Sequence, residues 1–136
     1  MKKNSLKRIV FFSSLVILLS SIILVFYFNY FLLDVVYVNF DFKVKEDKNI
    51  GFNLDQDALH FGIIPPGSNS HRDLVLNSEV PARLLIKVFG SNYVYPTKNN
   101  FLIEPGESTL TFTASPPVDM PKGNYSGKIR LVFKKV

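Results

Sequence analysis

Residues 9–33 make a run of twenty-five without a formally charged side chain, broken only by Ser13, Ser14, Ser20, Ser21 and Asn29. No other stretch restricts the fold so strongly. A helix of that length reaches about 37 Å, against about 30 Å of hydrocarbon in a bilayer. Ile, Val and Phe are modest helix formers, but a lone segment in lipid has no other way to pair its backbone. The sequence therefore predicts a transmembrane helix over 9–33. Phe26, Tyr27, Phe28, Tyr30 and Phe31 crowd its end, where aromatic rings favour the interface, so its last turn is expected between Phe28 and Leu33.

Charge sets the direction. Lys2, Lys3, Lys7 and Arg8 lie before the apolar run, and the first charge beyond it is Asp34. The positive-inside rule then makes 1–8 a cytoplasmic terminus and 34–136 an extracytoplasmic domain of a single-pass cell-membrane protein. A cleaved signal peptide is the rival reading. Its apolar core spans about 7–15 residues and precedes a small-x-small site, whereas this run is longer and lacks one. A pilin-type leader would carry a Glu near the start of the helix, and none is there. An uncleaved signal anchor is expected.

The formal charge of +5 conceals a division. After Leu33 there are twelve basic and eleven acidic residues, so the outer part is nearly neutral. That balance argues against nucleic acid, which calls for concentrated basic charge. The basic terminus reads as a topology signal that also meets anionic headgroups. The chain has no cysteine, so its fold holds by packing alone, and thirteen Phe with six Tyr suit a β core.

Beyond the span, apolar residues recur at every second position. Val36, Val38, Phe40, Phe42 and Val44 form one face of a strand over 35–45, with Tyr37, Asn39, Asp41, Lys43 and Lys45 on the other. It follows the span with almost no linker, so the domain should stand close to the membrane. Further short strands are predicted at Ile50, Phe52 and Leu54, over 59–64, 72–77 and 82–89, at Val94 and Tyr95, over 101–103, 109–114 and 125–135. Pro, Gly and Asn turns separate them, notably Pro65-Pro66-Gly67 and Glu104-Pro105-Gly106-Glu107. Gly106 after Pro105 fits a type II turn, and Gly127 leaves room for a ring from across the sheet, Tyr125 or Phe112, or marks a bulge. Seven to eight strands at this spacing predict an all-β, antiparallel sandwich; a small barrel is the alternative.

Three stretches carry a resemblance: Phe61-Gly62-Ile63-Ile64-Pro65-Pro66-Gly67-Ser68 with Leu74-Val75-Leu76-Asn77, Phe101-Leu102-Ile103-Glu104-Pro105-Gly106-Glu107, and Pro121-Lys122-Gly123-Asn124-Tyr125-Ser126-Gly127. Together they resemble the immunoglobulin-like sandwich modules of archaeal and bacterial envelope proteins, in the style of the major-sperm-protein group. The whole chain resembles short archaeal membrane-anchored envelope proteins. Its layout is similar to archaellum stator-type proteins, without a motif that assigns it to them. The resemblance implies an immunoglobulin-like ectodomain and an envelope location.

Candidate chemistry is sparse. His60 and His71 are the two imidazoles, and a metal pair would need them across a hairpin, though an edge and a loop residue suffice. Glu46, Asp47, Asp55 and Asp57 lack the spacing of an EF-hand. Ser68, Ser70, His71 and Asp73 have no nucleophile elbow or oxyanion donors around them. No catalysis and no cofactor are expected. Asn124-Tyr125-Ser126 is a glycosylation sequon at a predicted turn, so glycan attachment at Asn124 is an expectation.

Partner contacts are the stronger functional reading. The 35–45 strand would accept a neighbour's strand if it lies at a sheet edge. Tyr37, Leu85 and Phe89 fall on faces otherwise solvated, as an apolar patch or as packing for a second sheet. Ser13 and Ser20, with Ser14 and Ser21, have heptad-like spacing suited to contact between spans. The sequence thus predicts a membrane-anchored, non-catalytic structural or protein-interaction subunit of an envelope complex. A carbohydrate- or peptide-recognition module, built on Tyr93, Tyr95, Phe101 or Tyr125, is the alternative.

Overall fold

The computed structural model describes residues 2–46 and 58–136. Helix α1 (Lys2–Tyr30) takes in the basic terminus as well as the apolar run, and its 4–30 portion is long and apolar enough to cross a membrane. A final bond from Phe31 N to Tyr27 O, 3.0 Å, closes its last turn. Strand β1 (Leu32–Val44) starts immediately afterwards. The predicted span to Leu33 therefore runs two residues into a strand. Leu32 and its neighbours leave the helix because their backbone finds a partner in the other end of the chain, with Leu32 opposite Lys134.

Among the described residues seven more strands follow: β2 (Ala58–Ile64), β3 (Ser70–Ser78), β4 (Ala82–Phe89), β5 (Val94–Pro96), β6 (Phe101–Ile103), β7 (Gly106–Ala114) and β8 (Gly123–Lys135). They form a five-stranded sheet in the order β2-β1-β8-β4-β6 and a three-stranded sheet in the order β3-β7-β5. Both contribute to one core. Phe40, Leu84, Ile129 and Leu131 come from the larger sheet and Leu110, Phe112 and Ala114 from the smaller, all almost fully buried. The strand at Ile50, Phe52 and Leu54 lies outside the described residues.

Two expectations need correction. The larger sheet is mixed, because β1 and β2 run parallel, so the fold is not antiparallel throughout. A parallel pair needs a connection of about a dozen residues or more, and the thirteen residues 45–57 supply that length. Strand β1 also lies inside its sheet, between β2 and β8, so from Asn39 to Val44 its backbone is paired on both sides and unavailable to a neighbour's strand.

Local signals fix the connections. Ser68 N donates to Pro65 O at 3.0 Å and Gly67 has φ 77°, a type II turn with Pro66 and Gly67 at its centre. Gly127 faces Phe40 across β1 and β8. A Cβ there would lie 2.5 Å from Phe40 Cζ and closer still to the Phe89 carbonyl oxygen. The glycine does make room for a ring, but the ring is Phe40.

Corners and edges are stitched by side chains. Where the chain passes from one sheet to the other, Arg72 Nε donates to His60 O at 2.8 Å and Ser70 Oγ donates to Phe61 O at 3.0 Å. Strand β6 covers only Ala82–Leu84 of β4. Beyond it the Asn99 amide takes over, accepting from Ile86 N at 2.8 Å and donating to Ile86 O at 2.9 Å. One side chain thus reproduces a rung of the ladder and closes an edge that a foreign strand would otherwise extend.

Candidate functional site

The junction of α1 with the β domain is built by both ends of the chain. A helix ends with unpaired carbonyls and a negative dipole terminus, which cations stabilise. The last turn of α1 has no basic residue of its own. Lys135 supplies one from the end of β8, its Nζ donating to Asn29 O at 2.9 Å while its backbone N donates to Phe31 O at 3.0 Å. Helix and sheet therefore meet without a flexible linker.

The outward face of the five-stranded sheet begins at this junction. Register places Val35, Val132 and Leu85 in one row across β1, β8 and β4, then Tyr37, Arg130 and Lys87, then Asn39, Lys128 and Phe89. Lys134 and Arg83 adjoin at the helix end. Lys87 Nζ and the Arg130 guanidinium lie 5.2 and 5.8 Å from the Phe89 ring centre, within cation–π reach. Arg130 Nε is buried in this face without a hydrogen-bond acceptor. Among the described residues, Asp41 is the one acid at an outward strand position of the sheet, at the end far from α1. Asp34 lines a cleft on the inner side, with Val36, Leu76 and Glu79.

Tyr37, Leu85 and Phe89 thus share one face, as the sequence suggests. They are not a continuous apolar patch, because Lys87, Lys128 and Arg130 lie between them. Nor do they pack a second sheet, since the three-stranded sheet covers the opposite side. A cleft of about 390 Å³ separates this face from the helix, walled by Tyr27 on one side and Leu85, Lys87, Arg130, Val132 and Lys134 on the other.

The remaining candidates are dispersed. His60 Nδ1 donates to Asp41 Oδ2 at 2.6 Å, whereas His71 Nδ1 lies 2.8 Å from Thr113 Oγ1, so each imidazole has its own partner. Ser70 is bonded to Phe61 O, and Asp73 accepts from Thr111 Oγ1 at 2.6 Å, so these residues do not form a relay with His71. Glu46 lies 3.3 Å from Lys122 Nζ, while Asp47, Asp55 and Asp57 are outside the described residues. Tyr125 stacks on Phe42, with ring centres 5.3 Å apart, and its hydroxyl donates to Pro121 O at 2.6 Å. Asn124 is exposed on β8 opposite Lys43, on a strand and not at the predicted turn.

In α1 the hydroxyls of Ser13, Ser14, Ser20 and Ser21 each donate to a carbonyl of the preceding turn at 2.8–2.9 Å. Their small size remains available to a neighbouring helix, but their protons are already engaged. Lys7 and Arg8 are exposed in the first turns of the helix, and Lys2 and Lys3 begin it. Sequence reasoning placed the cations of β4 and β8 on solvated faces one strand at a time and missed their convergence. The signal was there in the alternation of both strands, but strand order is what brings them together. Comparison with family models, curated proteins and solved structures finds no match to this chain.

Proposed function

We propose that this protein is a membrane-anchored, non-catalytic structural or protein-interaction subunit of a cell-envelope complex. Residues 1–8 are cytoplasmic, the apolar run of α1 from Ile9 onward spans the membrane, and an immunoglobulin-like ectodomain of the short archaeal envelope type stands outside. The observation that carries the reading is the linker-free junction, where Lys135 ties the end of β8 to the last turn of α1. An enzyme or a ligand receptor works equally well on a tether. A subunit that must meet lateral partners benefits from a fixed height and orientation, since a rigid mount avoids the entropy of ordering a linker. Small-residue positions at Ser13 and Ser20 give the span a further contact surface.

Cross-linking in intact membranes, followed by extraction and identification of the joined proteins, tests this reading. A flexible six-residue Gly/Ser insertion between Tyr30 and Phe31 should keep the anchor and the ectodomain but reduce the cross-linked species. Recovery of an uncross-linked monomer from native membranes, or a yield indifferent to the insertion, would refute it. Protease added to sealed cells checks the orientation and should remove the β domain. Recognition of a carbohydrate or peptide remains a second reading, favoured by a cleft of about 400 Å³ lined by Asp41, Lys43, Asn124, Tyr125 and Ser126. A glycan array probed with the detergent-solubilised chain distinguishes it.

A further inference from the structure

We propose that the outward face of the five-stranded sheet docks on the anionic headgroups of the bilayer that holds α1. The inference rests on the anchored reading above and adds a second membrane contact, made by the β domain itself. Three observations support it.

The first is charge. Arg83, Lys87, Lys128, Arg130 and Lys134 occupy outward positions on the adjacent strands β4 and β8. Among the described residues, one acid, Asp41, shares that face, at its far end from α1; Glu79, Glu104, Glu107, Asp73 and Asp119 lie in loops or on the three-stranded side, Glu46 lies beside Lys122, and Asp34 is on the inner side. A nearly neutral domain is thus divided into a basic face and a more acidic remainder. From Lys128 to Lys134 the face runs about 20 Å along β8, which lets its charges meet several headgroups at once.

The second is apolar content. Phe89 and Tyr37 are 41% and 60% exposed between those cations, and Val132 and Leu85 lie behind them. Cations interleaved with rings and aliphatic groups suit a headgroup layer, where ammonium and guanidinium groups meet phosphate and apolar bodies sit at the acyl boundary. Arg130 fits that role, because its planar group rests over the Phe89 ring.

The third is position. Tyr27 sits three residues before the end of α1, the depth at which a Tyr ring anchors at the interface. The face that shares a cleft with Tyr27 is therefore held beside the headgroups and not carried away from them. An acidic protein or a second copy of the chain would answer the same charge, but neither accounts for this placement.

The chain has no cysteine, so the substitutions Tyr37→Cys and Val75→Cys each give the full-length protein one fluorophore. Tyr37 reports on the basic face, and Val75, 58% exposed, on the three-stranded sheet. The proteins are placed in nanodiscs of phosphatidylcholine, with or without phosphatidylglycerol, containing a headgroup spin-labelled lipid as quencher. Quenching at Tyr37 should exceed that at Val75, rise with phosphatidylglycerol and fall in high salt. Each cation near an anionic surface contributes about a fivefold factor, so Lys87→Gln with Lys128→Gln should lower the docked-to-undocked ratio about 25-fold.

Equal quenching at the two positions, or quenching at Tyr37 that ignores lipid charge and salt, would overturn the proposal. So would a Tyr37 label that is shielded from a soluble quencher and unquenched by lipid, which would assign the face to a second copy. The wild-type salt dependence stands without the charge variants, should those fold poorly. Loss of the chain from the discs under alkaline wash is a different result: it would reject the anchor, and this inference with it.

Discussion

Replacing Gly127 by Ala should destabilise the β domain more than any other single methyl group added to the described glycines. The new Cβ would sit 2.5 and 2.7 Å from Phe40 Cζ and Cε1, and nearer still to the Phe89 carbonyl oxygen. Carbon atoms prefer about 3.5–4.0 Å, so the ring would have to withdraw by about 1 Å. It has nowhere to go: Phe40 is 1% exposed and meets Phe61 edge-on, with centres 6.5 Å apart. The carbonyl belongs to β4, which is paired with β8 along its length. Overpacking costs about 1–3 kcal/mol when side chains can adjust, and a backbone clash puts this case at about 3 kcal/mol or above. For a domain of this size each kcal/mol moves Tm by about 4–8 °C, so a fall on the order of 10–20 °C is expected.

Near-ultraviolet circular dichroism of the full chain in detergent would follow the transition, since Tyr125 stacked on Phe42 gives the β domain a signal of its own. Gly106→Ala is the control. Its Cβ meets nothing within 4 Å, and with φ 114° it carries only conformational strain, about 1–2 kcal/mol. Phe40→Ala in the Gly127→Ala background removes the ring overlap and leaves the carbonyl. The pair should then fall short of additivity by about 1 kcal/mol or more. A Gly127→Ala chain that melts within about 4 °C of wild type, or strict additivity with Phe40→Ala, would refute the reasoning.

Asn99→Ala leaves both Ile86 backbone groups without a protein partner and should cost about 1–2 kcal/mol, with increased strand-mediated association on size-exclusion chromatography. Asn99→Asp keeps the acceptor for Ile86 N but loses the donor to Ile86 O, so urea denaturation should place it between Ala and wild type. Arg72→Ala should cost about 1–2 kcal/mol in the same assay, and Arg72→Lys should recover only part of it, because an ammonium cannot reproduce the fork that reaches His60 O and His71 O.

Strand positions were legible wherever alternation and punctuation agreed. Residues 82–89 and 101–103 are strands with the expected bounds, and Val38, Phe40, Phe42 and Val44 are buried as their period of two requires. Alternation is a property of one strand and says nothing about its neighbour. The parallel pairing of β1 with β2 was therefore hidden, as was the interior place of β1. The same limit applied to the candidate site. Tyr37, Leu85 and Phe89 were read correctly as outward-facing, but the cations around them become neighbours only when β4, β8 and β1 lie side by side.

The sequence alone determined the local and the covalent: an uncharged run long enough to cross a bilayer, the two faces of each strand, and a Pro-Gly turn at Gly67. Those depend on periodicity and on backbone restrictions within a few residues. Only the tertiary structure decided which strands meet, which ring occupies the space over Gly127, and that Lys135 would cap the helix end more than a hundred residues before it. These are contacts between distant parts of the chain, selected by how all the strands share one core, and no short stretch contains that information.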